Sequence, residues 1–120
     1  MVHEQLSFSV IGCCMAVHNS LGTGLLERCY HNALYYELQA EGVAVEYNKP
    51  YTVFHREQVV GEYFADLVVE EKIIIEIKAV RRLSEEHTAQ VLNYLHISGL
   101  RLGLLVNFQG SKVEWKRLVL

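Results

Sequence analysis

The sequence is poor in the features that staple or interrupt a chain. Its 120 residues contain one proline, Pro50, and three cysteines, Cys13, Cys14 and Cys29. An odd count with an adjacent pair and no C-x-x-C spacing excludes a disulfide framework and a cysteine zinc site. Free, mostly buried thiols in a reducing, cytoplasmic setting are expected instead. No apolar run approaches the ~20 residues that span a bilayer. Met1-Val2-His3-Glu4-Gln5 also lacks the basic start of a secretory signal, so no membrane association is expected. Positive charge is scarce as well: 11 Lys and Arg stand against 14 Asp and Glu, for a net charge of −3. That excludes a grip on nucleic acid through bulk positive charge, and any such contact must be built locally. With no Gly/Ser tract and no charge block there is no linker, and residues 1–120 read as one domain.

What is present is globular: 51% hydrophobic and 21% charged residues. Apolar residues at helical spacing (Leu6, Val10, Ile11, Cys14, Met15, Val17) predict a helix from about Glu4 to Asn19. The two glycines of Ser20-Leu21-Gly22-Thr23-Gly24 break it, and a second helix is expected from about Leu25 to Ala40, stopped at Glu41-Gly42. The period then changes. Val43–Tyr47 and Tyr51–His55 are β-rich runs separated by Asn48-Lys49-Pro50, and Arg56-Glu57-Gln58 turns into a strand over Val59–Val69. Glu70-Glu71-Lys72 makes the next turn, into a strand over Ile73–Ala79 whose Ile73-Ile74-Ile75 marks it as central and covered on both faces. Ser84 is the expected N-cap of a helix reaching Ser98-Gly99, with His87 at its third position. Leu100–Asn107 and Lys112–Leu120 are the last strands. The order ααβββαββ describes an α/β domain with helices layered on a sheet.

The chemistry is concentrated on the central strand. Glu76 and Lys78 are two residues apart, so their side chains leave the same face. A three-residue turn at Glu70–Lys72 would pair Val69 with Ile73 and set Asp66 opposite Glu76, Cβ atoms ~5 Å apart; a two-residue turn would shift the pairing by one and need a bulge to restore it. Two carboxylates that close repel, which raises a pKa or recruits a divalent cation. Oxygen donors with room for water suit Mg²⁺ or Mn²⁺, and the Ile77 carbonyl lies within reach as a further ligand. Lys78 is then placed to position or activate a water or to stabilise charge on a phosphate. A merely decorative polar face is a poor account of charges set in Ile73-Ile74-Ile75-Glu76-Ile77-Lys78.

Asp66…Glu76-x-Lys78 resembles the motif of the PD-(D/E)XK nuclease superfamily. Gly24-Leu25-Leu26-Glu27-Arg28-Cys29-Tyr30 is similar to the signature of the GxxExxY proteins within it. The likeness continues through Asp66-Leu67-Val68-Val69, Glu76-Ile77-Lys78-Ala79, Gln90-Val91-Leu92-Asn93-Tyr94-Leu95 and Gly103-Leu104-Leu105-Val106-Asn107-Phe108. Thr23 stands where relatives commonly carry proline, and Ala65 replaces the proline that precedes the first aspartate. The resemblance implies a restriction-endonuclease-like core, a mixed β-sheet flanked by helices. It also implies a Mg²⁺- or Mn²⁺-dependent hydrolase of phosphodiester bonds, with DNA preferred to RNA, and a chain this short is expected to act as a homodimer. The rival reading is a catalytically silent nucleic-acid-binding or protein-interaction module.

Supporting residues read two ways. Glu27 and Tyr30 share a helix face: Glu27 is a third metal ligand or a first-turn carboxylate favoured by the helix dipole, and Tyr30 orients it or is simply buried. The resemblance implies the ligand. Gln90 and Tyr94, one turn apart, are expected to face the sheet, Gln90 contacting water or a phosphate oxygen. Arg81 and Arg82, with Lys112, Lys116 and Arg117, offer phosphate contacts or form a solvated basic loop. No interleaving of aromatic and basic residues along the chain suggests a base-stacking platform. The six histidines form no H-x-x-x-H pair; His18 and His31 flank the glycine loop, where one could contact substrate, though an ordinary helix-face role is expected.

Overall fold

The computed structural model describes residues 1–120. Its elements are α1 (Glu4–Leu21), α2 (Glu27–Ala40), β1 (Val45–His55), β2 (Gln58–Val69), β3 (Ile73–Lys78), α3 (Glu85–Ser98), β4 (Leu102–Asn107) and β5 (Glu114–Val119). One sheet runs in the order β1-β2-β3-β4-β5. Its neighbours are antiparallel except β3 and β4, which run parallel because α3 carries the chain back between them. This is the ααβββαββ order and the mixed, helix-flanked sheet of a restriction-endonuclease-like core.

Strand alternation sorts the core into two layers. Ile73, Ile75 and Ile77 point to the side covered by α1 and α2, where Val10, Cys14, Tyr30 and Leu34 are fully buried. Ile74 points to the other side, under Val91, Tyr94 and Leu95 of α3. By the same alternation Glu76 and Lys78 leave the α3 face. Gly103 lets α3 lie close: a Cβ there would stand 2.5 Å from Val91 Cγ1. Ser84 and His87 close a reciprocal cap on α3, the Ser84 side chain accepting from His87 N–H and the His87 ring from Ser84 N–H. No helix is long and apolar enough to cross a membrane.

Local differences from the sequence reading have physical causes. Residues 45–55 form one strand, not two runs: Lys49 and Pro50 pair with Ala65 and Phe64, and proline is tolerated because β1 is an edge. Within the strand only Asn48, at φ 49°, takes positive φ, and the register shifts between Val53 and Phe54. The second helix begins at Glu27 because the Tyr30 hydroxyl accepts from Leu25 N–H at 3.3 Å and donates to the Gly22 carbonyl at 2.7 Å. Those two bonds hold the glycine loop open where the apolar periodicity would have started a helix.

Candidate functional site

The three-residue turn forms: Glu70 and Glu71 take positive φ, and the ladder pairs Val69 with Ile73, Val68 with Ile74 and Leu67 with Ile75. One step further Asp66 faces Glu76, and there the backbone ladder stops. Side chains take over: Asp66 N–H donates to Glu76 Oε2 at 2.7 Å, and Ile77 N–H donates to Asp66 Oδ2 at 2.8 Å. On its other flank the Asp66 carbonyl accepts from His31 Nε2 at 2.9 Å, which requires that nitrogen to carry the proton. Asp66 is thus held by carboxylate, peptide and imidazole at the point where the sheet parts.

This arrangement leaves Asp66 Oδ1 and Glu76 Oε1 without a backbone donor. Glu76 is 2% exposed. Burial, then the neighbouring Asp66 charge, raises its carboxyl to about 8 against the pull of Asp66 N–H and Lys78. Burial raises Asp66 too, opposed by the Ile77 N–H, His31 and Lys78. The pair therefore retains a proton near neutral pH, because two adjacent anions in a desolvated cleft lack a compensating charge. Lys78 does not supply it by contact: the chain's one ion pair joins Lys49 to Glu46. These donors fit a divalent cation, which Asp66, Glu76 and the Ile77 carbonyl would hold.

The other expected residues are placed unevenly. Glu27 lies exposed in the first turn of α2, in the layer opposite the α3 face, and reaches Glu76 only as a weak like charge. No three acidic, histidine or cysteine side chains come together tightly enough to hold a metal by themselves. Tyr30 is fully buried, stacked on Phe108 with ring centres 4.8 Å apart, and its hydroxyl is engaged by the glycine loop. Tyr94 is buried beside the acidic pair and donates to the Phe64 carbonyl at 3.0 Å; burial, then Glu76 and Asp66, pushes its hydroxyl up to about 12. Gln90 is exposed rather than facing the sheet, on a recess of about 450 Å³ shared with Tyr63, His87 and Tyr94. Arg81 and Arg82 are exposed just beyond β3.

Two residues here were given no role from sequence. His31 clamps Asp66 and stacks on Tyr47 at 4.3 Å; its place one turn after Glu27 on α2 was the available signal. Asn107, paired with Lys78 across the parallel ladder, receives Val80 N–H on Oδ1 at 3.0 Å and donates to the Val80 carbonyl at 2.8 Å. It ties down the chain as it leaves β3, and nothing in the sequence distinguishes it from any strand-end asparagine.

The model of the PD-(D/E)XK nuclease superfamily matches residues 4–118. Among solved structures, the crystal structure of SSO0001 is similar at a TM-score of 0.64 and 20% identity, covering 77% of this chain. That likeness is one of fold, and the chain spans 48% of that protein's length. No curated protein matches the chain.

Proposed function

The chain belongs to the PD-(D/E)XK nuclease superfamily, and from that premise we propose that it is a Mg²⁺- or Mn²⁺-dependent nuclease that hydrolyses phosphodiester bonds, with DNA its substrate before RNA. The observation that carries the reading is the carboxylate pair of half-buried Asp66 and buried Glu76, each fixed by a backbone N–H and each with an oxygen left over. Asp66, Glu76 and the Ile77 carbonyl would hold the cation, with the Glu27 charge contributing from α2. When bound, the cation supplies Lewis-acid activation of water and neutralises phosphate charge. Lys78, on the same strand face as Glu76, positions the attacking water and stabilises the charge that develops on the phosphate. Tyr94 and Gln90 line the α3 side of the cleft, Gln90 meeting a phosphate oxygen at its rim. Three cysteines, all free, suit a cytoplasmic protein. Work as a homodimer is part of the proposal, to be read from the mass in solution.

The test is cleavage of labelled single- and double-stranded DNA and RNA with Mg²⁺ or Mn²⁺, wild type beside Glu76→Ala and Lys78→Ala. Each variant is expected to lose about a hundredfold or more. Cleavage at wild-type rates by both would remove the catalytic assignment and leave a binding module.

A further inference from the structure

The backbone ladder between β2 and β3 covers only Leu67 to Val69, so the outer part of the β1–β2 hairpin stands away from the rest of the sheet. Helix α3 props it there. Tyr51 and Ala65 of the hairpin pack with Val91, Tyr94 and Leu95, and the Tyr94 hydroxyl donates to the Phe64 carbonyl at 3.0 Å. Between hairpin and helix lies an open recess of about 450 Å³, lined by Tyr63, Glu86, His87, Gln90, Asn93 and Tyr94 among others. That volume is in the range of small-ligand sites.

The helix supplies one wall as a stripe: Glu86, Gln90 and Asn93 recur at i, i+4 and i+7, all exposed, while Val91 and Leu95 take the buried side. His87 is fixed by the cap of α3. Its Nδ1 accepts from Ser84 N–H at 3.0 Å, which leaves the ring proton on Nε2. The hairpin supplies the other wall through Tyr63, which is 49% exposed. Its ring stands at 86° to that of Tyr94, with centres 6.0 Å apart, so two rings at right angles line the recess. No Lys or Arg lines it.

These walls suit a flat, uncharged heteroaromatic ring. Tyr63 offers it a stacking surface. The Asn93 amide carries a donor and an acceptor together, the combination that reads a base edge, and Glu86 adds an acceptor and His87 a donor. A phosphate would find no cation here. The recess also adjoins the acidic pair. Tyr63 precedes Asp66 by three residues on β2, about 10 Å along the strand. Tyr94 belongs to both places: it lines the recess, and Glu76 and Asp66 act on its hydroxyl. A base inside a duplex is stacked and paired on its reading edge, so only an unpaired nucleotide can present its ring to such a recess.

We propose that the recess between Tyr63 and α3 binds the unpaired base of a nucleotide flanking the reacting phosphodiester, stacked on Tyr63 and met at its edge by Asn93. The proposal rests on the nuclease reading for what flanks the base, but it is tested without cleavage.

The test compares two labelled DNA strands of equal length and charge, an oligothymidylate and the same sugar–phosphate chain without bases. Binding to the full chain is followed by anisotropy in EDTA. The wild type is expected to bind the strand with bases about tenfold more tightly. Tyr63→Ala and Asn93→Ala should each lose most of that preference, and Tyr63→Phe should keep it. Melting temperature checks that each variant folds; if Tyr63→Ala does not, the exposed Asn93→Ala decides. Equal affinity of the wild type for the two strands, or a preference that survives in the folded variants, overturns the base site. The same preparation assayed with Mg²⁺ separates the two ideas: cleavage without a base preference removes the base site and leaves the nuclease, and a base preference without cleavage does the reverse.

Discussion

The Asp66 backbone N–H donates to the Glu76 carboxylate at 2.7 Å, and the Ile77 N–H answers it on Asp66 at 2.8 Å. The two residues thereby replace ladder bonds between β2 and β3 with their own side chains, and half-buried Asp66 ends up beside buried Glu76. The consequences are measurable without knowing any substrate.

Stability should fall as pH rises. Glu76 ionises near 4.5 in an ordinary setting and near 8 here, chiefly through burial and then through Asp66. A group whose folded pKa is raised contributes its stability fully below the unfolded value and loses it as pH climbs through the folded one. The metal-free melting temperature is expected to drop between about pH 5 and pH 8, and Glu76→Gln should flatten that drop. An equally steep profile in Glu76→Gln would show that other groups carry it.

Divalent cation should reverse the loss. Binding to the folded state alone stabilises by about 2.7 kcal/mol at a hundredfold excess over Kd. Because the pair must give up its proton to ligate, the Mg²⁺-induced rise in melting temperature should be larger at pH 8 than at pH 6. Asp66→Asn and Glu76→Gln are each expected to abolish it. A rise that persists in both variants would place the ion elsewhere.

His31 should prove to be a positioning residue. His31→Phe retains a ring against Tyr47, stacked at 4.3 Å in the wild type, but removes the donor to the Asp66 carbonyl. The expected cost is about 1–3 kcal/mol in denaturant unfolding, accompanied by weaker Mg²⁺ binding as Asp66 loosens. Full retention of Mg²⁺ affinity would limit His31 to a packing role.

Gly103 should not accept a methyl group while Val91 is present. Gly103→Ala would bring Cβ to 2.5 Å from Val91 Cγ1 and is expected to destabilise by about 1–3 kcal/mol through overpacking. The double variant Gly103→Ala/Val91→Ala should recover part of that, and a double-mutant cycle with no coupling would show that α3 shifts instead.

Much of this was legible in the chain. The three-residue turn, the all-apolar run before Glu76 and the period of two place Asp66 opposite Glu76 and put Lys78 on the same face, because a strand has only two faces and a hairpin only one register per turn length. Capping at Ser84 was legible for the same reason, being a local rule.

The rest depended on separations no periodicity encodes. Gln90 was expected to face the sheet and is exposed, because Val91, Tyr94 and Leu95 take the buried side of α3. Glu27 shares a helix face with His31, yet His31 reaches Asp66 while Glu27, one turn nearer the start of α2, is left exposed. No aromatic and basic residues interleave along the sequence, but folding sets Arg81 from the β3 exit and Lys112 from the β4–β5 turn on one recess. The sequence by itself determined the element order, the register and the acidic pair, since these follow from local chemistry and alternation. Only the tertiary structure decided which charges the pair meets and which remain free, because that depends on how helices rotate and loops close over a sheet.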